Sequence, residues 1–226
     1  MLVDDEHRAE TTQLVDLGLA RSVGLDGRPR IRTEPKPGGL QLVIAARDRL
    51  GLFSDAAGLL ASHGVQVRSA VLHTVQGVAV NTWRVDKESA ADIPDPAFLV
   101  KQLERLQAGD RTVLAPIRRR EARAQSAGAG SRPAPPYVQL IKDASETAAV
   151  IEVRTSDRAG LLYALGGALS QAQLLIRSAH VATLAGQAID TFYITEQDGS
   201  LPSPERARVA VDELTAAAGL TASAIV

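Results

Sequence analysis

The sequence predicts an α+β fold: two tandem βαββαβ modules, each an antiparallel sheet with both helices packed on one face. Three observations carry this. Residues 42–85 written above residues 151–194 align without a gap, with apolar positions matching apolar positions almost throughout. Within each copy, hydrophobic periodicity switches between strand-like and helix-like spacing in the same order. Between the copies, residues 118–136 are Arg-rich, then Ala/Gly/Ser-rich, then Pro-rich, the composition of a solvated linker.

The elements follow in order. Residues 1–39 hold a short helix expected over residues 8–20, with Leu14, Leu17 and Val3 toward one face, and a Gly-, Pro- and Arg-rich linker over residues 24–39. The first module, residues 40–118, opens with an apolar strand over 40–46. A helix follows whose stripe is Leu52, Phe53, Ala56, Leu59 and Leu60. Val65, Val67, Ser69 and Val71 mark an alternating strand, Gly77 a hairpin turn, and residues 78–85 its partner strand. Asp95 followed by Pro96 starts a second helix, and residues 111–117 are expected as the closing strand. The linker over 119–136 leads to the second module, residues 137–226, where residues 137–142 add a short strand. Its elements repeat the first: a strand over 149–154, a helix with Leu161, Leu162, Leu165, Ala168 and Leu169, strands around Ile176 and over 187–195, a helix after Ser203 and Pro204, and a closing strand over 220–226.

The repeat is most informative at its identities. Asp48-Arg49-Leu50-Gly51-Leu52 stands over Asp157-Arg158-Ala159-Gly160-Leu161, and Arg68-Ser69-Ala70 over Arg177-Ser178-Ala179. Thr74, Gly77, Ala79 and Thr82 stand over Thr183, Gly186, Ala188 and Thr191. A βαββαβ module with Asp-Arg-x-Gly-Leu between its first strand and first helix resembles the ACT domain, a ferredoxin-like regulatory module that binds amino acids. More narrowly, residues 145–163 and 189–194 resemble the last domain of bacterial PII uridylyltransferases, which end in two ACT domains. The resemblance covers roughly residues 40–226. It implies a regulatory region that senses an amino acid, glutamine, and controls nucleotidylation and denucleotidylation of the PII nitrogen-signalling protein. It further implies upstream catalytic domains and PII as partners, and a cytoplasmic location.

Neither catalytic signature of that family is present: no Gly-Ser precedes paired aspartates, and none of His7, His63, His73 and His180 is followed by Asp. The chain itself is therefore expected to be non-catalytic, the regulatory part of a longer nucleotidyltransferase, with no cofactor of its own. A freestanding tandem-ACT protein acting through protein–protein contacts is the alternative. The choice between uridylyl and adenylyl transfer stays open.

The candidate site lies in the two turns. Their helices begin near the glycine, so first-turn N–H groups and the helix dipole suit a carboxylate. Gly51 and Gly160 leave the backbone open to approach. Asp48 and Asp157 are placed to hold an ammonium group, or else only to cap their helices. Arg49, Leu52, Arg158 and Leu161 complete the ligand-binding set. By the resemblance, a polar residue after the Gly-Val turn reaches the ligand of the neighbouring module. That position is Gln66 in the first copy and Leu175 in the second, so the second copy departs from the pattern. Glutamine is accordingly expected at the first turn, residues 48–53, with Gln66 or its pseudo-symmetric partner strand completing the site. Asn81 and Asp190 interrupt an apolar phase and are expected to bond backbone beside the hairpin.

Composition excludes other classes. The net charge of −1 and the lack of aromatics around Arg118, Arg119 and Arg120 give no nucleic-acid signature. With no cysteine there is no disulfide, thiolate zinc site or thiol nucleophile, and the histidines lack metal spacing. No apolar stretch approaches a membrane span. The tether and the exposed sheet edges predict that the modules pack on each other, with both turns near the interface.

Overall fold

The computed structural model describes residues 16–90, 93–117, 119 and 135–220. Among these, two four-stranded antiparallel sheets carry six helices. Of the expected helix over residues 8–20, residues 8–15 lie outside the described residues. The observed helix α1 spans Leu17–Asp26 and begins at Asp16, whose carboxylate accepts the Leu19 amide at 3.0 Å.

The stretch expected as a linker, residues 24–39, instead contains strand β1, Arg30–Lys36. It pairs antiparallel with β2, Gly39–Arg47, across a turn at Pro37 and Gly38. A Pro-Gly pair suits a tight turn with positive φ at its second position, and Gly38 has φ 80°. Strand β1 is charged and holds Pro35 because it is an edge strand, where a missing N–H costs no ladder bond. Ile31 packs against the core from it, which left little hydrophobic signal to read.

The first module continues with α2 (Leu52–Ser62), β3 (Val67–Val75), β4 (Val78–Asp86), the short α3 (Lys87–Ala90) and α4 (Pro96–Gln107). Asp95 caps α4 by accepting the Ala97 amide at 2.8 Å. The sheet order is β1-β2-β4-β3. Residues 111–117, expected as the closing strand, are helical. Asp110 accepts the Thr112 amide at 3.0 Å and opens a 3-10 turn, Arg111–Leu114. Val113, Leu114 and Ile117 are buried from this segment. The sheet edge that a closing strand would take, beside β2, is already held by β1.

The second module repeats the plan with β5 (Tyr137–Ile141), β6 (Ala149–Ser156), α5 (Leu161–Gln171), β7 (Leu175–Leu184), β8 (Gln187–Thr195) and α6 (Pro204–Ala217), in sheet order β5-β6-β8-β7. Of the closing strand expected over residues 220–226, all but Leu220 lies outside the described residues. The Leu220 amide donates to the Thr215 carbonyl at 3.0 Å, ending α6. Most of the expected linker over residues 119–136 also lies outside them. The observed strand and helix order of each module is thus ββαββα.

Helices α2, α4, α5 and α6 pack on the side of the sheets that forms the shared core. Helix α1 departs from the expected single-face arrangement. It covers the opposite face of the first sheet, where Ala20 and Val23 meet Val43, Ala45, Val78 and Val80 in a small second core.

The modules share one hydrophobic core. Helices α2 and α5 pack together, and β3 runs beside β7. The fit is close because glycines face bulky side chains: a Cβ on Gly166 would meet Phe53 Cδ1 at 2.6 Å, and one on Gly58 would meet Tyr163 Cδ2 at 2.8 Å. Phe53 stacks on Trp83 at 5.3 Å and meets Phe192 of the other module edge-on at 6.1 Å. Ser54 Oγ donates to the Tyr163 carbonyl at 2.9 Å across the same seam. Truncating a side chain buried like Phe53 to alanine costs about 3–5 kcal/mol.

Candidate functional site

Each Asp-Arg-x-Gly-Leu turn joins the end of a central strand to a helix start, and both are built alike. The Asp48 amide donates to the Gly77 carbonyl and the Asp157 amide to the Gly186 carbonyl, each at 2.9 Å. The Thr74 hydroxyl donates to Asp48 Oδ2 at 2.8 Å, and the Thr183 hydroxyl to Asp157 Oδ2 at 3.4 Å. Neither aspartate caps its helix. The residues before α2 and α5 are Gly51 and Gly160, with φ 78° and 76° and no side-chain cap. That left-handed backbone is what demands glycine. The Leu52 amide donates to the Arg49 carbonyl at 3.3 Å and the Leu161 amide to the Arg158 carbonyl at 3.1 Å. The remaining first-turn amides have no acceptor one turn back, so these helix ends, without a side-chain cap, can receive an anion.

The arginines are committed inside their own modules. Arg49 Nη2 donates to Asp55, a buried carboxylate that also accepts from Arg111 Nη1. Arg158 Nη2 donates to the Ala217 carbonyl at the end of α6, at 2.8 Å. Leu52 and Leu161 are buried in the shared core, so a ligand meets their backbone rather than their side chains.

The seam brings each turn against the other module's edge strand. Asp48, Arg49, Gly51 and Leu52 line one cleft with Ser170, Leu175 and Ile176. Asp157, Arg158, Gly160 and Leu161 line a second with Val65, Gln66 and Arg68. Gln66 therefore faces the second turn, and Leu175 faces the first. The two clefts differ in size. The first encloses about 30 Å³, room for little more than water, while the second encloses about 730 Å³. Phe53 lines the first cleft where Leu162 lines the second.

They differ equally in charge. Asn81 lines the first cleft and Asp190, its repeat counterpart, the second. Asp190 is 1% exposed, and neither carboxylate oxygen has a hydrogen-bond partner. The backbone group beside it is the Ala182 amide, which favours the charged form as the expected backbone contact would, but neither oxygen meets full hydrogen-bond geometry. Burial, and then the negative charge of Asp157, push the Asp190 carboxyl up to about 8. Burial likewise raises Asp157 above the usual carboxylate range, opposed by hydrogen bonds from the Arg158 backbone and Thr183 and by the Arg158 charge. Sequence reasoning registered Asp190 as a break in an apolar phase and assigned it no ligand. It also counted Phe53 as core without seeing that it fills the first cleft.

No family model matches the chain. It is 40% identical over 184 residues to the bifunctional uridylyltransferase/uridylyl-removing enzyme of Streptomyces coelicolor, a match covering 78% of this chain and 22% of that protein. The enzyme of the same name from Mycobacterium tuberculosis is 34% identical, with 91% of this chain and 26% of that protein covered. The one from Phenylobacterium zucineum is 32% identical, at 93% and 23%. A solved aspartate kinase from Synechocystis aligns over 80% of this chain and 27% of its own, with 15% identity and a TM-score of 0.40. Among the described residues, no helix is long and apolar enough to cross a membrane. The chain spans about a fifth to a quarter of the length of the curated relatives it matches. By these matches the chain is the counterpart of one segment of the bifunctional uridylyltransferase/uridylyl-removing enzymes.

Proposed function

We propose that the chain senses free glutamine in the cleft between the second turn and the first module's edge strand. One observation carries this reading: the cleft of about 730 Å³ joins an uncapped helix start, a carboxylate and a side-chain amide across the seam. The ligand's α-carboxylate binds the first-turn amides of α5 that follow Leu161, where the dipole favours an anion. Asp157 attracts its ammonium group. Gln66 has the donor and acceptor needed to match a carboxamide side chain. The earlier expectation of glutamine at the first turn gives way to this one, because about 30 Å³ does not admit an amino acid.

A ligand held by both modules stabilises their packed arrangement, and that is the signal. In a longer enzyme, the signal reaches upstream catalytic domains that add and remove a uridylyl group on PII, in the cytoplasm. The relatives' names support uridylyl chemistry, and the family resemblance supplies PII and glutamine.

A thermal-shift panel of amino acids tests the reading. Glutamine is expected to raise the melting temperature, since a ligand that binds only the folded state stabilises it. Gln66→Leu, which copies Leu175 of the first cleft, is expected to reduce the glutamine shift and narrow its lead over alanine. A shift from glutamine no larger than from alanine or glutamate in the native chain would reject glutamine as the ligand.

A further inference from the structure

We infer that Asp190 is the counter-ion for the ammonium group of the amino acid bound in the large cleft, so that binding is coupled to the loss of one proton. The inference rests on the proposed amino-acid site and adds a residue and a linkage to it.

The geometry is that of a site missing a cation. Asp190 lies on β8 between Val181 of β7 and Val153 of β6, so its strand neighbours offer no charge. Its carboxylate is almost wholly buried, has no side-chain partner and only the Ala182 amide beside it, short of full hydrogen-bond geometry, and Asp190 lines the cleft. The charged and titratable groups facing the cleft come from every wall. The turn contributes Asp157 and Arg158, α5 contributes Tyr163, β4 contributes Asp86, and Arg68 enters from β3. The two cations are engaged elsewhere, since Arg158 donates to the Ala217 carbonyl and Arg68 pairs with Asp86. Asp157 is the charge that acts on Asp190, and it is repulsive. Burial and this repulsion keep Asp190 protonated near neutral pH in the empty cleft.

An incoming ammonium group reverses the balance. The Asp190 O–H bond breaks, the proton passes to solvent, and the new carboxylate pairs with the cation. The first cleft has Asn81 at this position and cannot make the exchange.

Calorimetry of the whole chain with glutamine at pH 7, in buffers of low and high ionisation enthalpy, reads the proton directly. The expected result is release of about one proton per ligand, with affinity rising from about pH 6 to 8. Asp190→Asn places an uncharged amide where the empty cleft holds an uncharged acid. It is expected to abolish the buffer dependence, flatten the pH profile and weaken binding on the order of tenfold or more. Carbon-13 NMR of the Asp190 carboxyl is a second reading that needs no variant: glutamine should convert its signal from the protonated to the ionised form.

Glutamine binding without proton release, or with equal release in Asp190→Asn, overturns this inference and leaves the glutamine site standing. No binding by the native chain at any pH overturns both.

Discussion

Asp190 and Asn81 differ by an oxygen against an amide nitrogen at matching repeat positions, and this gives the unliganded chain a pH dependence. The folded Asp190 carboxyl lies at about 8 against an ordinary 3.8, so the folded state holds a proton that the unfolded state releases. Its stabilising effect is complete below about pH 4 and is lost as pH rises to about 8. Asp157, also raised, adds in the same direction. Urea denaturation is expected to show a lower midpoint at pH 8 than at pH 5. The loss should be on the order of a few kcal/mol and much smaller in Asp190→Asn. Equal slopes in the two proteins would mean that other groups dominate. Gly51 and Gly160 make a second residue-scale test. With φ at 78° and 76°, alanine at either is expected to cost about 1–2 kcal/mol from backbone strain alone. Loss of binding in a Gly51 or Gly160 variant is therefore interpretable only beside its denaturation curve.

At the scale of elements, helix α5 holds adjacent glycines with opposite roles. A Cβ on Gly166 would meet Phe53 at 2.6 Å and the Ser54 backbone at 3.3 Å, whereas one on Gly167 would find Ser54 Oγ at 3.5 Å, an ordinary contact. Gly166→Ala is expected to destabilise by about 1–3 kcal/mol through overpacking of the seam. Gly167→Ala is expected to stabilise by about 0.5–1 kcal/mol, the usual helix preference for alanine. Thermal melts of the two variants should move in opposite directions. The elements also show what the sequence made legible. Helices α2 and α5, the hairpins at Gly77 and Gly186, and the starts of α4 and α6 all had strong local signals: stripes, turn glycines and Asp-Pro or Ser-Pro caps. Strand β1 did not, because an edge strand with Arg30, Arg32, Glu34 and Lys36 looks solvated. Val113, Leu114 and Ile117 fit a short strand as well as a helix, and only the capping contact of Asp110 separates the two. The turn residues of the site were legible through the repeat. Which turn meets Gln66, and that Phe53 fills one cleft, depend on how the modules dock, and no local pattern encodes that.

For the whole molecule, a core continuous across both modules predicts joint unfolding. The single tryptophan, Trp83, lies in the first module, so its fluorescence reports that half, while far-ultraviolet circular dichroism reports both. The two urea transitions are expected to coincide. A fluorescence midpoint clearly apart from the dichroism midpoint would show that the modules hold together less tightly than their shared aromatics imply. The docking of β3 beside β7 leaves β1 and β5 as the outer strands, and they are not equally safe in a concentrated solution. Strand β1 carries four charges and Pro35, the features that deter a stray strand from adding to an edge. Strand β5, Tyr-Val-Gln-Leu-Ile, has neither charge nor proline, and among the described residues no strand pairs with its outer side. It is therefore where one molecule would template another. Gln139→Lys should slow the growth of light scattering in concentrated samples, whereas removing Lys36 from the opposite rim should hasten it.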